Sequence, residues 1–350
     1  MCISFPRTNY MDDPILKLAG KGNLSHPDDN LTWYRPDTIH QVAHCLTLYF
    51  QPIICLFGVV GNIISLIVFS SKKLRTVSCN VYLAALSASN SAFLLALFIV
   101  WLEMLGIRLV HQNGWCQTVI FVTYVCSFLS IWLIVCITIE NFIITFHLHD
   151  APRLCTVSRA LIVVGGLTFF AFLVYDFALW STKETEIQNT TYCFVSDEYG
   201  TIVAVLTCVD VVITLVLPSI LIISFLIAIF IRNISQPNGF RTNLRRVLTR
   251  KERALLRVTR LLFVITVSFM IFSAPSHVNK LWYLISTLAT DKREATQNDR
   301  VTQHLCQLVY YTSFSCNFVY YLIWGKNFRH VLYNIIKSIG ECCCRRLRPP

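Results

Sequence analysis

Long runs of uncharged residues dominate this chain, and they fix the solvent in which it folds. A helix crossing ~30 Å of hydrocarbon needs about 20 predominantly apolar residues. Runs at least that long fall near 44–71, 79–107, 115–146, 158–180, 199–232, 255–287 and 301–324. Each is a continuous apolar stretch, unlike the ten-residue alternation of a membrane β-barrel, so each satisfies its backbone N–H and C=O groups as a helix. The reading is an all-α membrane protein, a bundle of seven transmembrane helices. Composition agrees, with 55% of 350 residues hydrophobic, 14% charged and a mean hydropathy of +0.58. Soluble domains carry roughly a quarter charged residues.

Three regions follow. Residues 1–43 are a polar segment carrying Asp12, Asp13, Asp28 and Asp29, read as disordered. It lacks the basic start, short apolar core and small-residue cleavage site of a signal peptide, so the first span acts as its own signal. Residues 44–324 hold the bundle, and 325–350 form a cysteine- and arginine-rich tail. Lys72, Lys73, Arg75, Arg245, Arg246, Arg250, Lys251, Arg253, Arg257 and Arg260 fall in alternate loops and the helix ends beside them, whereas Glu184, Glu186, Asp197, Glu198, Asp291, Glu294 and Asp299 lie on the other side. The positive-inside rule then puts the N-terminus outside and the C-terminus in the cytoplasm of a multi-pass plasma-membrane protein. Sequons at Asn23, Asn30 and Asn189 fall on the outer side and are candidate glycosylation sites.

The net charge of +11 therefore follows the loops, and nucleic acid is not implied as a partner. Among fifteen cysteines, Cys55, Cys79, Cys126, Cys136, Cys208 and Cys316 lie inside apolar runs and read as small buried hydrophobes. No CxxC pair with metal spacing, HExxH, GxSxG or Walker A sequence occurs, so no metal, cofactor or enzyme activity is expected. The spans show no inverted repeat of Gly/Pro-broken helices, which weakens a transporter reading.

Residues at ordered places along the spans carry a resemblance. The first span holds Gly61-Asn62. The second reads Asn80-Val-Tyr-Leu83-Ala-Ala-Leu86-Ser-Ala-Ser-Asn90, and the third opens Trp115-Cys116, with Cys193 following the fourth. Pro218 and Pro275 interrupt the fifth and sixth. The seventh ends Asn317-Phe318-Val-Tyr-Tyr321, followed by Phe328-Arg329. This pattern, over about residues 45–335, resembles the rhodopsin-like G-protein-coupled receptors. The resemblance implies a Cys116–Cys193 disulfide on the outer side and bends at Pro218 and Pro275. It also implies a short amphipathic eighth helix continued by His330, Leu332, Ile335, Ile336 and Lys337, with Cys342, Cys343 and Cys344 as palmitoylation sites. Cys45 and Cys306, near outer helix ends, are a second candidate pair.

Departures cluster where the family switches. The position of its conserved arginine falls on Asn141 in Glu140-Asn141-Phe142, Asn90 stands for the sodium-binding acid, and Phe318 for a proline. The sixth span reads Phe272-Ser273-Ala274-Pro275 where C-W-x-P is usual, and Leu226 stands where a tyrosine is frequent. Asn62, Asn90, Glu140, Asn141, Phe142, Pro218, Phe269, Pro275, Asn317 and Tyr321 are the candidate activation and coupling residues. Ser315-Cys-Asn317-Phe318 is similar to FMRFamide-type neuropeptide receptors.

On the outer side, Glu103, Asp176 and Asp210 are expected to form an acidic cup. His277, Lys280, Trp282 and Tyr283 of the sixth span, His304, Gln307 and Tyr310 of the seventh, and Thr123, Tyr124 and Ser127 of the third complete the candidate ligand site. Thr123 stands where aminergic receptors carry Asp, which disfavours a small amine. The implied function is a receptor for an extracellular ligand, a short basic and amidated neuropeptide, acting on a heterotrimeric G protein, with membrane lipids and arrestin as further partners. Two alternatives stand beside it: a weakly coupling decoy or scaffold, and a chemosensory receptor for small molecules.

Overall fold

The computed structural model describes residues 42–105 except 44, then 107, 114–187, 190–235, 250–289 and 297–346. The N-terminal segment, the sequons at Asn23, Asn30 and Asn189, and most of the basic loop after the fifth span lie outside the described residues. Among those described, six helices are long and apolar enough to cross a membrane: Leu46–Phe69, Ser78–Leu102, Trp115–Phe146, Val157–Ser181, Val205–Arg232 and Val258–Trp282. The seventh crossing comes in two pieces, Gln297–Ser315 and Asn317–Trp324, and a helix over Lys326–Arg346 leaves it. The chain is a seven-transmembrane helical bundle with an eighth helix. Between the fourth and fifth crossings an antiparallel hairpin, β1 (Thr182–Ile187) and β2 (Thr190–Val195), pairs Glu184 with Cys193. The two ends of the bundle are called here the hairpin end and the eighth-helix end.

The helices are not uniform, and proline explains much of the irregularity. A π turn over Leu46–Phe50 precedes Pro52, and a second over Val212–Val216 precedes Pro218. Pro52 has no N–H to give to the Leu48 carbonyl four residues earlier. Trp101 of the second crossing supplies the missing donor, its Nε1–H reaching Leu48 O at 3.2 Å. Lipid offers no water for such a carbonyl, so a neighbouring helix has to meet it. Pro275 lies inside the sixth helix, Arg250–Ala289.

Burial is greatest in the third crossing and least in the fourth, whose Leu161, Ile162, Phe169 and Leu173 point outward as a lipid-facing surface. With hydrocarbon on the outside, apolar burial gives helices little reason to associate, and small residues and polar groups take over. Gly58 and Gly61 are where the first crossing meets the seventh. A Cβ on Gly58 would sit 2.7 Å from Ser315 Cβ, and one on Gly61 would sit 2.8 Å from Phe318 Cβ. Phe318 thus fills the proline position of the family and uses Gly61 as its seat.

The break in the seventh crossing survives the absence of that proline. Val319 and Tyr320 both donate to the Cys316 carbonyl, and the Phe314 carbonyl, bypassed by this turn, is taken by side-chain amides. Asn62 Nδ2 donates to it at 2.8 Å while also reaching Gly58 O, and Asn90 Nδ2 approaches at 3.4 Å. Asn90 Oδ1 accepts from Ser130 Oγ at 2.8 Å, and Ser89 Oγ donates to Cys126 O at 2.8 Å. These groups join the first, second, third and seventh crossings without a formal charge, and all are almost fully buried.

At the eighth-helix end, Phe69, Tyr321 and Phe328 form a ring cluster with centroids 4.9–5.4 Å apart. Arg329 donates to the Leu322 and Ile323 carbonyls at 2.6 Å, capping the last turn of the seventh helix. The Phe328-Arg329 pair is therefore a plug and a cap.

Gly58 and Gly166 give a paired test. Gly166 has nothing within 4 Å of a would-be Cβ. Gly58→Ala is expected to lower stability by about 1–3 kcal/mol through overpacking, whereas Gly166→Ala, open and inside a helix, does not lower it and raises it by at most about 1 kcal/mol. Thermal unfolding of the purified protein and surface expression would both report the difference.

Candidate functional site

The third, fifth, sixth and seventh crossings enclose a cavity toward the hairpin end, lined by Ser127, Ile131, Asp210, Val211, Thr214, Leu215, His277, Lys280 and Tyr310. Its volume is about 20 Å³, room for roughly one water. Asp210 is 3% exposed, and its carboxylate accepts a 2.6 Å hydrogen bond from the Tyr175 hydroxyl. Tyr175 is held by rings on both sides: Tyr124 stacks on it at 5.4 Å, and Phe128 meets its edge at 5.8 Å. Ser127 Oγ and Tyr310 Oη lie 3.4 Å apart, and the His277 ring packs against Tyr310 at 5.7 Å, its buried Nδ1 lacking a hydrogen-bond partner among the described residues. The π turn over Val212–Val216, immediately after Asp210, carries Thr214 and Leu215 to the same wall.

The expected ligand residues divide. Ser127, Asp210, His277, Lys280 and Tyr310 converge on the cavity, and Tyr124 stands behind it. Thr123 is buried, with its hydroxyl on the Val119 carbonyl of its own helix. Asp176 does not join a cup. The fourth helix ends at Tyr175 and restarts at Phe177, and this break leaves Asp176 exposed while Tyr175 points inward. Trp282 is 64% exposed on the outside of the sixth crossing. His304 turns toward the first crossing, where its Nε2 pairs with Thr47 Oγ1. Gln307 is half-buried. Glu103 and Tyr283 lie on the second and sixth helices, with side chains outside the described residues. Asn279 Nδ2 donates to Gln303 Oε1 at 2.6 Å, tying the sixth crossing to the seventh above the cavity.

Cys116 is disulfide-bonded. Cys193 stands on β2, its side chain outside the described residues, as are those of Cys342, Cys343 and Cys344 on the eighth helix. Cys45 and Cys306 are free thiols, so the second candidate pair is not formed. Gln117 Nε2 donates to Thr182 O, and Ser196 N to Ser181 O, which draws the hairpin base against the third crossing.

A second polar group of residues lies toward the eighth-helix end. Thr138 Oγ1 of the third crossing and Thr266 Oγ1 of the sixth are 3.1 Å apart, both fully buried. Each also lies within hydrogen-bond reach of a carbonyl four residues earlier on its own helix, Ile134 O and Leu262 O. One proton per hydroxyl means that one threonine donates across the gap while the other stays on its own backbone. One turn further, the Asn141 amide is buried with neither polar atom partnered among the described residues, and Glu140 is 6% exposed. Phe142 stacks on Phe146 at 4.5 Å and meets Phe225 of the fifth crossing at 5.0 Å, with the Arg232 guanidinium over Phe146. Phe269, Asn317 and Tyr321 are buried on the facing sides of the sixth and seventh crossings. In the connection beyond, burial and the nearby Glu140 carboxylate push the Cys155 thiol up to about 12, which keeps it protonated.

Sequence reasoning missed Tyr175, Thr138, Thr266, Ser89 and Ser130. The signal for Tyr175 was an aromatic beside an acid in a lipid-facing span, where a rotation of one residue exchanges the two.

Residues 61–339 match the family described as "7 transmembrane receptor (rhodopsin family)". The chain is also similar to "Probable G-protein coupled receptor B0563.6" of Caenorhabditis elegans, 27% identical over 179 residues that cover 46% of this chain and 39% of that protein. The chain thus spans well under half the length of that relative. With a family match over most of its length, the chain belongs to the rhodopsin family of seven-transmembrane receptors.

Proposed function

We propose that the chain is a plasma-membrane receptor, with its hairpin end outside and its eighth helix in the cytoplasm, that passes an extracellular ligand signal to a heterotrimeric G protein. The observation that carries this reading is the sharing of two helices between two polar centres. The third and sixth crossings supply Ser127, His277 and Lys280 to the outer cavity, and Thr138 and Thr266 to the seam nearer the eighth-helix end. A ligand that shifts the outer halves of these helices acts on the same rods that the inner hydroxyl pair joins.

The inner seam is weak in a useful way. Interhelical hydrogen bonds inside membranes average about 0.6 kcal/mol. Both threonines keep a carbonyl of their own helix to fall back on when the sixth crossing moves. Opening therefore strands no hydroxyl. The cost falls within what differential ligand binding supplies, since a coupling of 1–3 kcal/mol is typical of allosteric sites.

The ligand is read as a short basic peptide with an amidated end, and the resemblance to FMRFamide-type receptors is part of that reading. Its guanidinium is assigned to Glu103, because Asp210 is already engaged by Tyr175. Its aromatic is assigned to the sixth-span ring Tyr283. Arrestin is a further cytoplasmic partner on this reading. A decoy reading has one observation in its favour: Asn141, at the family's arginine position, is a short neutral amide with no hydrogen-bond partner among the described residues, and it offers a G protein neither reach nor charge. Screening amidated neuropeptides on cells expressing the full chain, with calcium and cAMP readouts and a nucleotide-exchange assay, separates the two. Binding with exchange supports the receptor reading, and binding without exchange supports the decoy.

Two expected outcomes follow from these assignments. Thr266→Val removes the cross-helix partner and raises agonist-independent nucleotide exchange about threefold, the equivalent of ~0.6 kcal/mol; unchanged basal exchange would remove the seam from the mechanism. Glu103→Gln weakens the response to an arginine-containing amidated peptide by about tenfold or more, the loss of one charge-assisted hydrogen bond, while a peptide with citrulline in place of that arginine responds equally to both proteins.

A further inference from the structure

The turn that joins the first crossing to the second gathers charge around a hydroxyl. It reads Ser70-Ser-Lys72-Lys73-Leu-Arg75-Thr76-Val, and Lys72, Lys73, Arg75 and Thr76 are all exposed. The three cations have no ion-pair partner among the described residues. Among the described serines and threonines exposed toward the eighth-helix end, Thr76 alone has three basic residues in the four positions before it. Ser235 and Ser338 have one each there, and Ser70 and Ser158 have none. Burial removes the rival hydroxyls. Ser78, with Arg75 three residues before it, is 1% exposed in the first turn of the second crossing. Thr156, with Arg153 three before it, is half-buried and accepts from Arg159 N as the cap of the fourth helix. Arg232, three before Ser235, already lies over the Phe146 ring. Thr76 Oγ1 is loosely held, donating to Lys73 O at a long 3.4 Å.

Resting on the orientation of the receptor reading, which puts this turn in the cytoplasm, we propose that Thr76 is a phosphorylation site for a kinase that takes basic substrates. The substrate groove of such a kinase is acidic, and Lys72, Lys73 and Arg75 offer it three unpaired cations just before the acceptor. In the reaction the bond from Thr76 Oγ to the γ-phosphorus of MgATP forms as the bond from that phosphorus to the bridging oxygen breaks. ADP leaves, and the hydroxyl proton goes to the carboxylate base of the kinase. The product suits its surroundings. A phosphate carries about −1.5 to −2 charges and three strong acceptor oxygens, and Lys72 and Lys73 lie one turn before it. Lys72, Lys73 and Arg75 give the turn a charge of +3, which falls to about +1, so its attraction to anionic headgroups weakens. Leu74 limits access. It is 6% exposed, and its carbonyl accepts from Asn80 Nδ2 at 2.8 Å. Drawing the turn into the extended form that a kinase binds withdraws this one leucine, which slows the reaction without forbidding it, whereas Ser78 requires the second crossing to unwind.

The test incubates the full-length protein, in nanodiscs that leave both faces reachable, with MgATP and either a cAMP-dependent kinase or a protein kinase C, both of which take basic substrates. A synthetic peptide of residues 70–82 is treated alongside, and mass spectrometry locates the phosphate. The peptide is expected to be labelled at Thr76 and Ser78, and the folded protein at Thr76 alone. Labelling of the protein is slower than that of the peptide by about tenfold or more, the size of exposing one leucine side chain. Lys73→Gln with Arg75→Gln slows it by a further factor of about ten, the loss of charged contacts to the kinase, and Thr76→Val abolishes it. All of these positions are exposed, so folding is not at stake. No label on Thr76 of the folded protein from either kinase, label on Ser78 as fast as on Thr76, or a rate indifferent to the two glutamines would overturn the inference. The same phosphopeptide is then sought from intact cells treated with a phosphatase inhibitor, the chain carrying a C-terminal epitope tag. Thr76 phosphate with a tag that antibody reaches only after permeabilisation supports the inference. A tag inside and no phosphate overturns the inference alone, whereas a tag reached in unpermeabilised cells overturns the orientation and the inference with it. A protein phosphorylated at Thr76 that drives no nucleotide exchange keeps this inference and loses the signalling reading.

Discussion

A single backbone carbonyl, that of Phe314, holds the middle of the bundle together. Helices in lipid gain little from burying apolar surface against one another, because hydrocarbon already surrounds them. The association has to come from close approach and from polar groups with nowhere else to go. The turn at Cys316 exposes Phe314 O, Asn62 and Asn90 point amides at it, and Ser130 closes the chain on Asn90. Gly58 and Gly61 allow the approach that brings Asn62 within 2.8 Å. Each part requires the others. A larger residue at Gly58 would push the seventh crossing away, and a straight seventh helix would take Phe314 O back into its own ladder.

The two ends hang from this brace and differ in chemistry. Toward the hairpin, charge is enclosed: a carboxylate clamped by a tyrosine, an ammonium and an imidazole share a space that holds about one water. Toward the eighth helix, the third and sixth crossings meet hydroxyl to hydroxyl and the third and fifth ring to ring, with the buried Glu140 carboxylate and the Arg232 guanidinium over Phe146 beside them. Unpaired buried charge is expensive, and a neutral hydrogen bond with an alternative acceptor is cheap to exchange. The first end is therefore suited to discriminate among visitors, and the second to move. The missing arginine of the family is consistent with this division, because a neutral seam has no ion pair to break.

Much of this was legible in the sequence at the level of helices and little at the level of faces. Apolar runs revealed six crossings plainly, because lipid imposes length and continuity on each, whereas the seventh is a more polar run that breaks at Cys316. The Gly61-Asn62 pair was legible as a place where helices touch, whereas Asn90 was legible only as the position of the family's sodium-binding acid. Asp176 was not. Its inward placement assumed an unbroken fourth helix, and the break after Tyr175 rotates the acid to the surface and the phenol to the interior. His304 misled for another reason: a histidine near the hairpin end of a span suits a pocket wall and a helix contact equally, and Thr47 on the π turn of the first crossing decides between them. The Pro52–Trp101 contact could have been foreseen from the freed carbonyl, but no sequence rule says which neighbouring helix supplies the donor.

Tyr310 links the cavity to the brace and gives the proposed function a physical path. Its hydroxyl reaches Ser127 in the cavity wall, and its ring meets the edge of Phe314, one helical turn below, at 5.0 Å. Phe314 in turn stacks on Phe93 of the second crossing at 4.3 Å, and its carbonyl is the acceptor that Asn62 and Asn90 share. The Ser127–Tyr310 contact and the Asn90 contact, both at 3.4 Å, are the longest polar contacts in this series, whereas the ring stack and the Asn62 bond are close to ideal. A ligand that competes for the Tyr310 hydroxyl therefore breaks the series at a soft member and transmits displacement into its stiffest. Close-packed rings do not deform continuously, so such a displacement is accommodated by a change of ring packing. The turn at Cys316, held by a shared acceptor and no proline, is the place in the seventh crossing where that change can be absorbed.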